Sequence, residues 1–153
     1  MSALYFFLMF STLFSSQSSA FTALGLSYEI IAAAPDNQVE LIGCDTDPCS
    51  DLDIKIPATV NDGIIDYAVT SVKDKAFEDQ NISSVVIGQN IQTFGEKAFK
   101  GNALKSVRIP DGVKIIGKKA FERNALEPLS VPASVSTIDT NAFNRNNLRT
   151  ASV

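Results

Sequence analysis

The chain has 153 residues, enough for one domain rather than two. Hydrophobic residues make up 45% and charged residues 20%, too apolar a mixture for a disordered chain. There is no His, which removes the commonest general base and metal ligand and excludes Ser-His-Asp and Cys-His triads and His-based zinc sites; the net charge of −4 argues against nucleic acid.

Residues 1–20 read as a secretory signal peptide. An apolar run from Leu4 to Phe14 is followed by a small, polar stretch, and Ser18 and Ala20 precede a cut after Ala20. No Lys or Arg comes before the run, so only the amino terminus supplies positive charge. An uncleaved anchor would need about 20 apolar residues. No other stretch is long or apolar enough, so no transmembrane span is expected in the mature chain. Export places Cys44 and Cys49 in an oxidising compartment, where two close cysteines pair as a disulfide rather than react.

Residues 21–52 read as an N-terminal cap. Tyr28-Glu29-Ile30 and Val39-Glu40-Leu41 alternate like strands, and Pro35-Asp36-Asn37 between them signals a turn, so a β-hairpin is expected. From Phe21 to Asp66, nine acidic residues face Lys55 alone, whereas residues 67–153 carry 12 basic and 8 acidic groups. Asp45, Asp47, Asp51 and Asp53 crowd the cysteines, and Asp-x-Asp spacing can supply calcium ligands. The Gly and distal Glu of an EF-hand loop are not in register. A polar, disulfide-closed loop is therefore expected, with no metal and no cofactor.

Residues 53–153 are repetitive. Ala-Phe recurs at Phe77, Phe99, Phe121 and Phe143, every 22 residues. Other columns keep the same step: Ile82, Leu104, Leu126 and Leu148; Ile87, Ile109, Val131 and Val153; Phe94, Ile116 and Ile138. The chain would hold about four such units, the last incomplete. Val-x-Ile has the period of a short strand with one face buried, and Pro110 or Pro132 ends it. The next apolar pair, such as Val113 and Ile116, lies three apart and suits a turn of helix or 3₁₀. A short helical segment is expected over residues 118–122. One unit cannot bury its apolar edge alone, so the expected fold is an α/β repeat solenoid with short parallel β-strands. Phe77, Phe99, Phe121 and Phe143 would form its spine. Asn102, Asn124 and Asn146, with Gln80 before them, read as a ladder satisfying backbone groups, the alternative being a row of ligand-binding amides.

Lys105-Ser106-Val107-Arg108-Ile109-Pro110 and Ile116-Gly117-Lys118-Lys119-Ala120-Phe121 closely resemble the BspA-type leucine-rich repeats of microbial surface proteins. The resemblance covers roughly residues 53–153, with Ile54-Lys55-Ile56-Pro57 opening a first repeat and residues 61–68 inserted in it. It implies a leucine-rich-repeat fold, secretion or a place at the cell surface, adhesion and protein binding. The family has no shared catalytic residues to carry over.

The outward residues of the Val-x-Ile strands would line a concave binding face: Lys55, Val86, Ser106, Arg108, Ser130 and Ser152. Arg108 is the best anchor. Lys75, Lys97 and Lys119 share a column that reads as a solvated, salt-bridged face or a basic stripe for an acidic polysaccharide. No enzyme is expected, since a glycosidase needs two carboxylates across a cleft and the repeats offer only scattered acids. The leading reading is a protein-binding or adhesion module. The alternative is a structural element, or a fragment of a larger surface protein, that self-associates through its uncapped C-terminal repeat.

Overall fold

A computed structural model describes residues 19–33, 35–49, 53–127 and 129–149. The expected signal peptide, apart from residues 19 and 20, lies outside the described residues, as do Asp51, Ser152 and Val153. Ten strands follow in chain order: β1 (Ala20–Ala23), β2 (Leu26–Ala32), β3 (Gln38–Cys44), β4 (Asp53–Lys55), β5 (Thr59–Asn61), β6 (Asp66–Val72), β7 (Ser84–Val86), β8 (Thr93–Phe94), β9 (Ile115–Ile116) and β10 (Thr137–Ile138).

The N-terminal part is antiparallel. Alternation in β2 and β3 buries Leu26, Tyr28, Val39 and Leu41, and the two strands pair with Tyr28 opposite Leu41. β1 adds to the free side of β2, setting Phe21 against Tyr28 with ring centroids 5.6 Å apart. Burial holds the Tyr28 hydroxyl pKa up at about 12. β3 then runs parallel to β6, Leu41 beside Val72, and this joint carries the hairpin onto the coils. The stretch expected to be inserted in the first repeat, residues 61–68, spans the turn between β5 and β6 and the start of β6, two strands that pair antiparallel with Asn61 opposite Asp66.

Beyond β6 the chain stacks in coils of 22 residues. Val72, Phe94, Ile116 and Ile138 are parallel partners in turn across β6, β8, β9 and β10. This corrects the expected turn of helix or 3₁₀ around Val113 and Ile116. The amides there bond sideways to the previous coil: Gly117 N–H donates to Phe94 O at 2.8 Å, and Asp139 N–H to Ile116 O at 2.9 Å. Such close stacking leaves no room for a side chain at Gly117, where a Cβ would lie 2.7 Å from Phe94 O. The Val-x-Ile segments, expected to carry the parallel sheet, form a ladder only between β4 and β7 among the described residues.

The expected helical segment over 118–122 is likewise a pair of tight turns, and no helix occurs among the described residues. Left-handed residues recur four apart in each coil, at Lys75 and Asp79, Lys97 and Gly101, Lys119 and Arg123, Asn141 and Arg145. An α-helix cannot pass through them. Alternate amides also have another use. Lys119, Phe121 and Arg123 N–H donate to Thr140, Ala142 and Asn144 O on the next coil, while Ala120 and Glu122 N–H close turns onto Gly117 and Lys119 O.

Phe77, Phe99 and Phe121 are fully buried and nearly parallel, with centroids 5.0 and 5.3 Å apart. That is close to the 4.7–4.9 Å between hydrogen-bonded strands, so one ring sits on each coil. Phe143 continues the stack 5.5 Å beyond Phe121 but is only half-buried. Phe94 packs its edge against Phe99 and Phe121.

Each Asn of the column ties two coils. The Asn124 amide donates to Phe99 O at 2.9 Å and Phe121 O at 3.1 Å, and its oxygen accepts from Leu104 N–H at 3.2 Å. Asn102 and Asn146 repeat the pattern one coil before and after. At the head of the column the longer Gln80 reaches into the disulfide loop. Its oxygen accepts from Cys49 N–H at 2.8 Å, and its amide donates to Asp47 at 3.2 Å.

Candidate functional site

Alternation decides what the Val-x-Ile segments present. Ile54, Val85 and Val107 point in and are buried, so Lys55, Ser84, Val86, Ser106 and Arg108 point out and are exposed, as is Ser130. The β4–β7 register sets Lys55 beside Val86 and Asp53 beside Ser84. The 22-residue step continues the first column from Val86 to Arg108 and Ser130. Five of the six residues expected to line this face are thus on it, and Ser152 lies outside the described residues.

Arg108 divides the face. On one side is a hollow of about 330 Å³ bordered by Val86, Gln89, Pro110 and Asp111. On the other is one of about 380 Å³ bordered by Ser106, Asp111, Ser130 and Pro132. Val86 is 62% exposed, a large apolar group standing in water. Arg108 makes no ion pair among the described residues, although Asp111 borders both hollows with it. A guanidinium between two hollows, next to an exposed apolar side chain, can grip a carboxylate or a backbone carbonyl while a neighbouring apolar group is buried. Gln89 and Asp111 were not foreseen, because they sit in the turns after the strands, where alternation carries no information.

Asp53, at the other end of the face, is already engaged. Hydroxyls of Ser84, at 2.7 Å, and Ser83, at 3.1 Å, donate to it and hold its carboxyl below the usual range, with Lys55 adding to the effect. Cys44 and Cys49 are joined as a disulfide. Asp45 and Asp47 in that loop are exposed, and no cluster of His, Cys, Asp or Glu among the described residues is arranged to hold a metal.

Lys75, Lys97 and Lys119 all occupy left-handed turn positions, away from the Val-x-Ile segments. Lys97 lies 3.6 Å from Glu96, and in the next column Lys100 bonds Glu78 at 2.7 Å. The first two coils therefore neutralise much of their own charge.

A family profile described as BspA type leucine rich repeat region matches residues 55–153, in six copies. Among solved structures, the chain is similar to a leucine-rich repeat protein from Bacteroides capillosus ATCC 29799, with 24% identity and a TM-score of 0.67 over 88% of this chain and 100% of that one. It is also similar to the pneumococcal vaccine antigen PcpA, with 15% identity and a TM-score of 0.55, covering 86% of this chain and 49% of the antigen. Both likenesses are of fold. No curated protein matches the sequence.

Proposed function

The chain belongs to the BspA-type leucine-rich-repeat family, and on that premise we propose that it is an exported, non-catalytic module that binds a protein at the cell surface. The observation that carries the reading is the Arg108 arrangement: an exposed guanidinium with no ion pair among the described residues, between two hollows, with Val86 exposed beside it. Arg and exposed apolar groups are what binding hot spots are made of. Lys55, Ser106, Ser130 and Ser152 would form the surrounding polar rim on a solenoid's concave side. Export is supported by the composition of residues 1–20 and by the Cys44–Cys49 disulfide, which suits an oxidising compartment.

The test is binding of the full chain to purified matrix and cell-surface proteins by biolayer interferometry. Arg108→Ala and Val86→Ser are each expected to weaken a bound partner by about tenfold, the equivalent of ~1.4 kcal/mol. Unchanged affinity in both variants would remove this face from the site.

A second reading, assembly, is favoured by one observation. Val131, Ile138 and Leu148 are 36%, 51% and 42% exposed in the last described coil, where their equivalents Ile109, Ile116 and Leu126 are buried. Light scattering on the full chain separates the two. A concentration-dependent dimer that Ile138→Lys abolishes supports assembly, and a monomer at all concentrations rejects it.

A further inference from the structure

On the turn side of the coils, charge is balanced at one end and left over at the other. Glu78 bonds Lys100 and Glu96 accompanies Lys97 in the first two coils. In the next two, Lys118, Lys119, Arg123 and Arg145 make no ion pair among the described residues. Lys118, Arg123 and Arg145 are exposed and Lys119 is half-buried. Three carboxylates lie nearby, and Glu96, one coil back in the Lys118 column, is engaged by Lys97. Glu122 is only 6% exposed, and Asp139 turns an oxygen onto Thr140 N–H at 2.6 Å.

Backbone bonds between coils set Arg123 and Arg145 side by side, with Lys118 and Lys119 on the same turn segment as Arg123. Lys119 N–H donates to Thr140 O at 3.1 Å and Arg123 N–H to Asn144 O at 2.9 Å, which sets Arg123 alongside the Asn144–Arg145 segment. Arg123 and Arg145 hold the same place one coil apart, with φ of 57° and 56°. Like charges on neighbouring strands repel, and here they gather on a chain whose net charge is −4. A polyanion relieves that repulsion and releases its own counterions. On the same segments are exposed Thr140, Asn141 and Asn144, amides and a hydroxyl suited to sugar hydroxyls, although the Asn144 oxygen already accepts from Arg145 N–H at 2.9 Å. The nearby rings, Phe121 and Phe143, are buried and half-buried, so no aromatic platform is offered to a nucleic-acid base.

We propose that the turn side of residues 117–123 and 139–145 binds an anionic polysaccharide. Lys118, Lys119, Arg123 and Arg145 take its sulfate or carboxylate groups, and Asn141 and Asn144 its hydroxyls. This surface is separate from the Arg108 hollows and does not depend on them.

The experiment is calorimetric binding of the full chain to dextran sulfate and to polygalacturonate, with neutral dextran and duplex DNA as comparisons. Binding to at least one of the two acidic polymers is expected, weakening as salt rises. The double variants Arg123→Gln/Arg145→Gln and Lys118→Gln/Lys119→Gln are each expected to lose about tenfold in affinity. Lys55→Gln/Arg108→Gln, on the other side, is expected to bind like the parent. Circular dichroism confirms that each variant is folded, and either double variant suffices if the other is not. Binding to neither acidic polymer overturns the proposal. So does an unchanged affinity in the folded double variants, or an equal affinity for neutral dextran or DNA.

Discussion

The N-terminal hairpin and the coils bury their apolar groups by different routes. In β2 and β3, two strands of seven residues, alternation sends Leu26, Tyr28, Val39 and Leu41 inside, and each pairing across the strands is its own: Tyr28 faces Leu41, and the half-buried Ile30 faces Val39. In the coils each buried side chain stacks on its own equivalent from the previous turn, Phe99 on Phe77 and Phe121 on Phe99. The polar groups follow suit. The coils answer their turn carbonyls with a repeated Asn, whereas the hairpin leaves the Tyr28 hydroxyl without a hydrogen-bond partner among the described residues. Repetition lets one solution be used at every level. The hairpin has to solve each position once, and among the described residues it leaves two buried polar atoms unpartnered, the Tyr28 hydroxyl and the Asn37 Oδ1, against one in the coils, the Ser134 hydroxyl.

The most damaging way to test that contrast is to remove one ring. Phe121 is fully buried, contacts rings on both neighbouring coils and meets the edge of Phe94. Phe121→Ala should cost about 3–5 kcal/mol, measured by urea denaturation. A variant that unfolds at the parent's midpoint would mean the stack contributes nothing. Asn124→Ala should come next, at about 2–3 kcal/mol, because Leu104 N–H loses its acceptor and two Phe carbonyls lose a donor. Asn124→Asp should not restore stability, since it returns the acceptor but sets a carboxylate oxygen against Phe99 O and Phe121 O. A neutral Asn124→Ala would make the column a ligand row rather than a structural ladder.

The columns were legible in the sequence because identity at a fixed step survives whatever the backbone does between. The Phe and Asn positions followed from that step alone. The backbone itself was harder to read. Val113 and Ile116 are three apart, a spacing that a helical turn and a bent extended segment share. What decides between them is whether Gly117 and Asp139 amides bond within the coil or to Phe94 and Ile116 of the previous one, and no local pattern records that. Nor did alternation announce β1, four residues whose exposed and half-buried positions lack the apolar contrast of β2. On the candidate face, Lys55, Val86 and Arg108 were readable from alternation, but Gln89 and Asp111 were not.

A smaller effect probes one of the hairpin's unsolved positions. The Tyr28 hydroxyl is buried without a partner among the described residues, so Tyr28→Phe removes an unsatisfied polar atom and keeps the ring stacked on Phe21. Stability should stay level or rise by about 1 kcal/mol. The paired change in the coils, Asn124→Leu, should go the other way, because that polar group is fully used. A loss of more than about 1 kcal/mol on Tyr28→Phe would show that the hydroxyl has a partner after all, such as an ordered water.

The smallest expected effect concerns charge. Lys100 bonds Glu78 across two coils and holds its carboxyl below the usual value of 4.5, with smaller help from Lys97 and Lys75. A depressed carboxyl stabilises the fold fully above its unfolded pKa, and that contribution fades as pH falls through the lower, folded value. Both partners are about one-fifth exposed, so the pair is worth no more than about 1 kcal/mol. Acid titration of the parent alone cannot isolate it, because Asp53 and Asp62 are also depressed and fade in the same direction. The difference between parent and Glu78→Gln can. That difference should be constant from pH 7 to about 5, then shrink toward zero at more acidic pH. Salt should narrow it as well, since the pair lies near the surface. A difference that stays constant down to the lowest pH would mean that Glu78 acts through packing between the coils, and that charge adds nothing to the columns.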